Sequence, residues 1–344
     1  MPQCGQTRQQ RIQAMSNCHI LLPGLIGEGD RTPSLPEALT LLCTRGRRSP
    51  PLPIQGMDAF LLSSFGLPAN TGIGAITGLA DQLDTRKGYW IRIDPVHLHL
   101  NRNQLILLDT EALRLEQDEA NELAHTINKH FKDQNLHVFT PNPTRWYLHL
   151  DTEENLVFHP KDQVAGQDIN AYLPSGEKGM YWKTLLNEIQ MLLFEHPVNE
   201  AREARGELAV NSLWPWGQGS LPVTRIRPWE RILSNNPLAA GLATLGNLDH
   251  MILPPSADLW LSNIRSGDLV ILEDLLVTEK FGDEAAWNKE IKNIEDNWFA
   301  PLLASLKSNQ LNCIDIHLMT PLHAHHIETR KSDLWKIWRR SLPG

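Results

Sequence analysis

Apolar positions follow two different spacings along the chain, and together they predict alternating strands and helices. Short continuous apolar runs between polar or glycine-containing loops indicate buried strands. Such runs occupy residues 18–22, 88–94, 104–110, 136–139, 144–150, 156–159, 268–274 and 311–320. Apolar residues at three- and four-residue spacing indicate amphipathic helices that bury one face. They occupy residues 35–45, 120–131, 185–193, 229–245, 287–302 and 334–340. In the last of these, Leu334, Ile337 and Trp338 are predicted to face inward.

A break in the apolar spacing at His196-Pro197 separates two predicted helices. The first carries an apolar face over residues 185–193. A proline fits the first turn of a new helix, and Gly206 fits the left-handed position just after a helix ends. The sequence therefore predicts a short second helix over residues 197–205, and a corner between the two helices.

Polar and aromatic side chains concentrate around this corner and form a candidate anion site. They are His196, Asn199, Arg202, Arg205, Asn211, Trp214 and Trp216. Asn199 and Arg202 are three residues apart and share a helix face, where a guanidinium beside an amide suits a phosphate or carboxylate. In the alternative, the two arginines pair with glutamates on a solvated surface, and the tryptophans belong to the core. These glutamates are Glu200, Glu203 and Glu207. From spacing alone, the alternative is favoured.

A second set of polar side chains alternates along the predicted strand that begins at residue 88. It comprises Arg92, Asp94, His97 and His99. Period-two alternation gives a strand one polar face, so Arg92, Asp94 and His97 are candidate ligand-binding residues. A solvated sheet edge with a salt bridge from Arg92 to Asp94 explains the same pattern.

Composition and charge argue against a nucleic-acid partner. The chain of 344 residues has 41% hydrophobic residues, which is enough for a large core. A net charge of -8 and a pI near 6.0 argue against nucleic acid, because phosphate backbones are bound by clustered Lys and Arg. The expected partner is a small phosphorylated or carboxylate metabolite, or another protein.

The cysteines and the polar beginning of the chain predict a cytoplasmic protein. Four cysteines without a C-x-x-C pair indicate reduced thiols, and Cys18 and Cys313 are expected to be buried within strands. No apolar run approaches the ~20 residues of a membrane span, and no signal peptide pattern is present, so no membrane partner is expected. Residues 1–16 are predicted to be a disordered tail, with Met15 a candidate start.

The segment HPVNEAREARGELAVNSLWPWGQGSLP, residues 196–222, carries a family resemblance. It is similar to the pattern HPxNxxRxxxGxxxxNxxWxWGxGxxP of archaeal-type, cofactor-independent phosphoglycerate mutases, which belong to the alkaline phosphatase superfamily. Its visible departure is Pro215, where the family has an aliphatic residue. From about residue 17 onward, the chain also resembles bacterial RpfE-type regulatory proteins through GYWIRIDPVHLHL, TRWYLHL and this segment.

The resemblance implies an alkaline phosphatase-like α/β fold, with a mainly parallel sheet flanked by helices. It also implies a core formed by residues 17–87 and 223–344, with a smaller α/β subdomain inserted at 88–222. In the family, the segment that contains Arg92, Asp94 and His97 lies near the substrate cleft.

The residues that would perform the mutase reaction are not recognisable in this sequence. The resemblance implies two divalent metals on Asp and His ligands, and a Ser or Thr that accepts the phosphoryl group. Where the first strand should end in Asp-Gly, this chain has Pro23-Gly24, and no histidine occurs from residue 251 to 316. We therefore expect a non-catalytic, regulatory or anion-binding relative with no metal or other cofactor.

Two other functions remain open at this point. The first is an active mutase or phosphatase with relocated metal ligands. Its candidate ligands are His317, His323, His325, His326, Glu273, Asp274 and Asp283. The second is a scaffold that uses only its surface.

Overall fold

The computed structural model describes residues 16–26, 35–102, 104–108, 110–134, 136–276, 284–320, 322–339 and 341–342. The predicted tail before residue 16, Met15 and Asp283 lie outside this part. Ser16, the last residue of that predicted tail, opens the first strand. Among the described helices, none combines the length and the apolar character needed to cross a bilayer. The chain forms two compact units: residues 1–65, 226–239 and 246–344 form the first, and residues 66–225 with 240–245 form the second.

The predicted strands and helices are largely present. The described strands are β1 (Ser16–Leu22), β2 (Arg47–Arg48), β3 (Tyr89–Asn101), β4 (Gln104–Leu108), β5 (Val138–Asn142), β6 (Arg145–Leu150), β7 (Leu156–Val157), β8 (Ser175–Gly176), β9 (Ser212–Gly219), β10 (Arg231–Leu233), β11 (Asp249–Met251), β12 (Asp268–Ile271), β13 (Leu311–Met319) and β14 (Ala324–Arg330). The helices are α1 (Glu37–Arg45), α2 (Gly56–Ser64), α3 (Gly74–Ala80), α4 (Gln117–His130), α5 (Lys161–Val164), α6 (Gly179–Phe194), α7 (Pro197–Ala204), α8 (Pro237–Gly246), α9 (Ala257–Leu261), α10 (Glu284–Ile294) and α11 (Ala300–Lys307).

The first unit is built on a seven-stranded sheet, counted over the described residues, in the order β11-β10-β12-β1-β13-β14-β2. The first five strands in this order are parallel, whereas β14 and β2 are antiparallel to their neighbours. The predicted α/β fold with a mainly parallel sheet is therefore confirmed.

Side-chain alternation gives the two faces of this sheet different characters. In β1, Cys18, Ile20 and Leu22 point into a large apolar core that also contains side chains of α1, α9, α10 and α11. His19 lies between them in sequence and therefore faces the other side of the sheet. The start of α1 is held by the carboxylate of Glu295, which accepts hydrogen bonds from the backbone N–H groups of Ala38 and Leu39, both at 2.8 Å.

The second unit contains a five-stranded antiparallel sheet within the described residues, with β3 pairing with β4, β6 and β9. The amphipathic helices α4 and α6 bury their apolar faces against this sheet. Gly72 and Gly74 allow the chain at the start of α3 to pack directly against the backbone of β9 and β3. A Cβ at Gly72 would lie 1.7 Å from the Gln218 carbonyl oxygen, and one at Gly74 would lie 2.8 Å from that of Trp90. Residues 66–87 consequently lie with this unit, ahead of the predicted boundary at residue 88.

The predicted corner between two helices is present. Helix α6 ends at Phe194 and α7 begins at Pro197. The His196 side chain caps α7 by accepting a hydrogen bond from the Val198 N–H at 3.2 Å. Gly206 follows α7 with a φ of +76°, as its sequence position predicted.

Two strands were not predicted, and two local predictions were wrong. Residues 212–219 form strand β9 and residues 324–330 form strand β14, neither of which the apolar spacing marked. Residues 231–233 form strand β10, so the helix predicted from residue 229 begins only at Pro237. Ile337 and Trp338 are 58% and 73% exposed rather than inward-facing, since the helical turn there ends at Trp335.

Candidate functional site

Arg202 lies at the centre of the helical corner and is completely buried. Its Nε donates to the Leu208 carbonyl at 2.9 Å, and one terminal nitrogen donates to a carboxylate oxygen of Glu119 at 2.5 Å. The other terminal nitrogen donates to the Leu113 carbonyl. Each guanidinium nitrogen is thus engaged inside the protein, and Arg202 is an internal connection between α7, α4 and the segment before α4.

Glu119 connects α4 to α7 through one carboxylate. It accepts a hydrogen bond from the Glu116 N–H at 3.1 Å and so caps α4, and its other contacts are ion pairs with Arg202 and Arg205 at 2.5 and 2.7 Å. Burial alone would raise the pKa of Glu119. The backbone hydrogen bond and the two guanidinium groups outweigh that effect and lower it. Sequence reasoning missed Glu119, although Glu116 and Glu119 form the three-residue spacing of a capping box.

Asn199 and Asn211 bind main chain on either side of the corner. The Asn199 amide donates to the carbonyls of Leu193 and Val210, both at 2.8 Å, and accepts from the Val210 N–H at 2.9 Å. Asn211 makes the same two-way contact with Leu98, donating to its carbonyl at 2.9 Å and accepting from its N–H at 2.7 Å. The motif asparagines therefore tie α7 and β9 to neighbouring backbone.

Arg92 and Asp94 form a buried pair in the middle of the second sheet. Their side chains are 5% and 0% exposed and make three contacts of 2.7 to 2.9 Å. Trp216 donates its indole N–H to Asp94 at 2.9 Å, and the Arg92 guanidinium lies over the rings of Trp216 and Tyr147 at 5.0 and 5.3 Å. The predicted salt bridge is present, but the predicted solvated edge is wrong because β3 has partners on both sides.

The other predicted site residues are also engaged internally. Trp214 donates its indole N–H to the His159 carbonyl at 2.9 Å, and His97 Nδ1 lies 2.8 Å from the Ala209 carbonyl oxygen. Arg205 is half exposed and pairs with Glu119 and Glu207, both at 2.7 Å. The charged predicted site residues thus form two internal networks, one around Glu119 and one around Asp94, and most of the others bind main-chain groups.

His196 lies beside the surface groove of this corner. Its Nε2 is 2.9 Å from the Thr126 hydroxyl, and burial lowers its pKa. The groove has a volume of about 670 Å³ and lies between α4 and the α6–α7 corner. Its lining residues are Glu122, Thr126, Leu192, Glu195, His196, Pro197, Val198 and Ala201. Of the predicted ligand-binding residues, His196 alone lines this groove.

The histidines proposed as relocated metal ligands are divided between the two faces of the first sheet. His317 and His326 stack at 4.9 Å on one face, and His326 Nε2 lies 2.7 Å from Asp315. His325, the next residue along the strand, points to the opposite face, where its Nε2 is buried without a hydrogen-bond partner among the described residues.

The remaining proposed ligands do not complete a site. Glu273 accepts a hydrogen bond from the Asn236 amide at 2.8 Å, and the His323 ring is tilted by 54° against that of His325. Asp283 lies outside the described residues. Within the part of the chain that the structure describes, no three His, Cys, Asp or Glu side chains are placed to hold a metal ion.

Comparison with known proteins relates the chain to one enzyme family. Residues 56–199 match the family model described as 2,3-bisphosphoglycerate-independent phosphoglycerate mutase. The mutase of Methanosarcina mazei is 30% identical over 212 residues, which are 56% of this chain and 52% of that protein. The mutase of Methanosarcina barkeri is 25% identical over 227 residues, which are 58% of this chain and 56% of that protein.

The chain spans about half the length of these curated relatives. The solved structure of the PH0037 protein from Pyrococcus horikoshii aligns with a TM-score of 0.51 at 15% identity, covering 92% of this chain and 87% of that one. A likeness at this identity concerns the fold. The sequence matches, over part of the chain, show distant homology to the 2,3-bisphosphoglycerate-independent phosphoglycerate mutases.

Proposed function

We propose that the protein is a non-catalytic relative of these mutases with a regulatory, protein-binding role, as its resemblance to RpfE-type proteins suggests. The observation that carries the proposal is the end of β1. At the place where the family's metal-binding Asp-Gly is expected, the chain has Pro23-Gly24, and Pro23 has no side-chain atom that could bind a metal.

The backbone at this place also leaves no room for a replacement carboxylate. Gly24 has a φ of +79°, and a Cβ there would lie 2.6 Å from the Leu276 backbone nitrogen. A side chain at position 24 would therefore require both a strained backbone and displacement of its neighbour. Loss of a metal ligand weakens the charge neutralisation on which phosphoryl transfer depends.

The corner groove supports the binding role and indicates the class of partner. Glu122 and Glu195 line it, and no described cation forms an ion pair with either. On α6, Met191 and Phe194 are 72% and 79% exposed. Two carboxylates beside apolar side chains favour a partner surface with basic and apolar groups, and they disfavour an anionic metabolite.

A coupled phosphoglycerate mutase assay tests the absence of catalysis. The purified protein is supplied with manganese and zinc in turn, and the M. mazei relative is assayed in parallel as the positive control. We expect no turnover above background. A turnover of ~1 per second is the low end for ordinary enzymes. Turnover at or above this rate that a chelator abolishes would contradict the proposal and favour the alternative of an active metalloenzyme.

A thermal-shift titration with 3-phosphoglycerate tests the predicted anion site separately. Because Arg202 is buried and engaged at each nitrogen, we expect no saturable shift. A saturable stabilisation that is lost in Arg205→Ala, the more exposed arginine of the corner, would instead show that the corner binds anions.

A further inference from the structure

Three side chains on neighbouring strands of the first sheet, running inward from the edge strand β2, form a relay that the mutase relationship does not explain. Ser49 follows the edge strand β2, His326 lies on β14, and Asp315 lies on β13. The Ser49 N–H donates to the His326 carbonyl at 3.1 Å, so the two residues are direct neighbours across the sheet. His326 and Asp315 also share a sheet face, which brings all three side chains together.

The hydrogen bonds define a direction for proton transfer. His326 Nε2 is 2.7 Å from Asp315 Oδ1, and His326 Nδ1 is 3.1 Å from Ser49 Oγ. An ionised carboxylate can only accept a hydrogen bond, so Nε2 carries the proton and Nδ1 is left as an acceptor. The Ser49 hydroxyl then donates to Nδ1, which is the geometry of a hydroxyl nucleophile with its general base.

Burial supports this assignment of protons. Asp315 is 7% exposed, and burial alone would raise its pKa. The hydrogen bond that His326 donates is the main effect opposing burial, and with the nearby His19 ring it keeps the pKa of Asp315 below its usual value. His317 stacks on the His326 ring at 4.9 Å and 22°, which fixes the ring plane. Ser49 itself is exposed, so its oxygen is open to a reagent.

We propose that Ser49, His326 and Asp315 form a serine nucleophile that small activated esters acylate. Ser49 Oγ attacks the ester carbonyl carbon, and its proton passes to His326 Nδ1. The bond to the leaving oxygen breaks, and the leaving group departs with that proton. Water then attacks the acyl-Ser49 ester, releasing the carboxylic acid and restoring the hydroxyl. Asp315 is the positioning residue of this relay.

The chain also limits the substrate to activated esters. Residues 50 and 51 are prolines, which have no N–H group, so the backbone directly after Ser49 supplies no donors to an oxyanion. Without that stabilisation, the reaction depends on a good leaving group. This activity is separate from the mutase reaction and from the protein-binding role proposed above.

Labelling of the full chain with a fluorophosphonate tests the proposal. In this reaction Ser49 Oγ bonds to phosphorus, fluoride leaves, and His326 takes the proton. We expect one adduct by intact mass, mapped to Ser49 by peptide analysis and absent in Ser49→Ala. His326→Gln should label about 10²-fold more slowly, the lower range for a lost general base.

Ser262→Ala is the matched control, because the Ser262 hydroxyl is also exposed but donates only to the Leu259 carbonyl. It should label like the unaltered protein. No adduct in the unaltered protein, an adduct that persists in Ser49→Ala, or an unchanged rate in a folded His326→Gln would overturn the proposal. Because Ser49 is exposed on an edge, its replacement should leave the melting temperature unchanged.

Asp315→Asn tests whether Asp315 orients His326 for the reaction or only stabilises the fold. It should slow labelling about 10-fold or more, and it should remove the low-field His326 Nε2–H signal from the proton NMR spectrum. Ser49→Ala should keep that signal. If Asp315→Asn lowers the melting temperature but leaves both the signal and the labelling rate unchanged, Asp315 is only structural and the relay is wrong.

Discussion

At the scale of single residues, the family motif of this chain is a set of internal connections. Arg202 and Asn199 are almost fully buried, and they bind carbonyls and a carboxylate rather than solvent. A buried guanidinium is stable only while its partners remain, since an unpaired buried charge is costly. The motif therefore contributes to stability, and the groove beside it remains for binding.

We predict that Arg202→Ala lowers the free energy of unfolding by about 3 kcal/mol, because it removes the buried partner of Glu119 and leaves the Leu113 and Leu208 carbonyls without the donor they have in the native protein. Arg205→Ala removes a half-exposed partner of the same Glu119 and should lower the free energy of unfolding far less, because solvent screens that ion pair. Urea unfolding of the two variants measures the difference. Equal small losses would show that Arg202 is not a structural connection.

At the scale of elements, glycines mark where the backbone takes a left-handed conformation. Gly206 ends α7 with open space around it, whereas Gly24 follows β1 against the backbone of Leu275 and Leu276. Both residues have a positive φ, but only Gly24 also lacks room for a Cβ. The two positions separate the cost of backbone strain from the cost of a steric clash.

Gly206→Ala should lower stability by about 1 kcal/mol, through strain alone. Gly24→Ala should lower it by about 2 to 4 kcal/mol, because strain and overpacking act together. Gly166, with a φ of +77° and nothing within 4 Å, is a second open position and should behave like Gly206. A Gly24 variant as stable as the Gly206 variant would mean that the end of β1 can move to admit a side chain.

At the scale of the whole molecule, histidines on one face of the first sheet link stability to pH. Burial, with the nearby His326 and His19, lowers the pKa of His317 to about 3, although Asp315 acts in the opposite sense. As pH falls, His317 is therefore protonated near pH 6.5 in the unfolded chain but only near pH 3 in the folded protein. Stability must be lost as pH falls through this window.

Between pH 7 and pH 4.5, His317 alone should account for about 2 to 3 kcal/mol of this loss. His317→Gln removes the titrating group. Between pH 7 and pH 4.5, the free energy of unfolding of this variant should therefore fall by about 2 to 3 kcal/mol less than that of the unaltered protein. Chemical unfolding of both proteins at the two pH values measures the difference. Parallel pH profiles would mean that His317 is protonated in the folded state.

The sequence by itself determined the features that depend on local spacing. Apolar period and run length gave the main strands, such as β1 and β13, and the amphipathic helices α4 and α6. Pro197 and Gly206 gave the limits of α7, because capping acts within a few residues. Motif similarity gave the family relationship and the α/β fold.

Tertiary structure alone decided which side chains meet. Strand β10 has only three residues and β14 is mostly polar, so local spacing did not mark either strand, and both form through their neighbours in the sheet. Arg202 binds Glu119 from a distant helix, and Ser49 reaches His326 only through the pairing of the edge strand β2 with β14. Such pairings join residues far apart in the chain, and their free energy depends on burial and geometry that the folded core supplies.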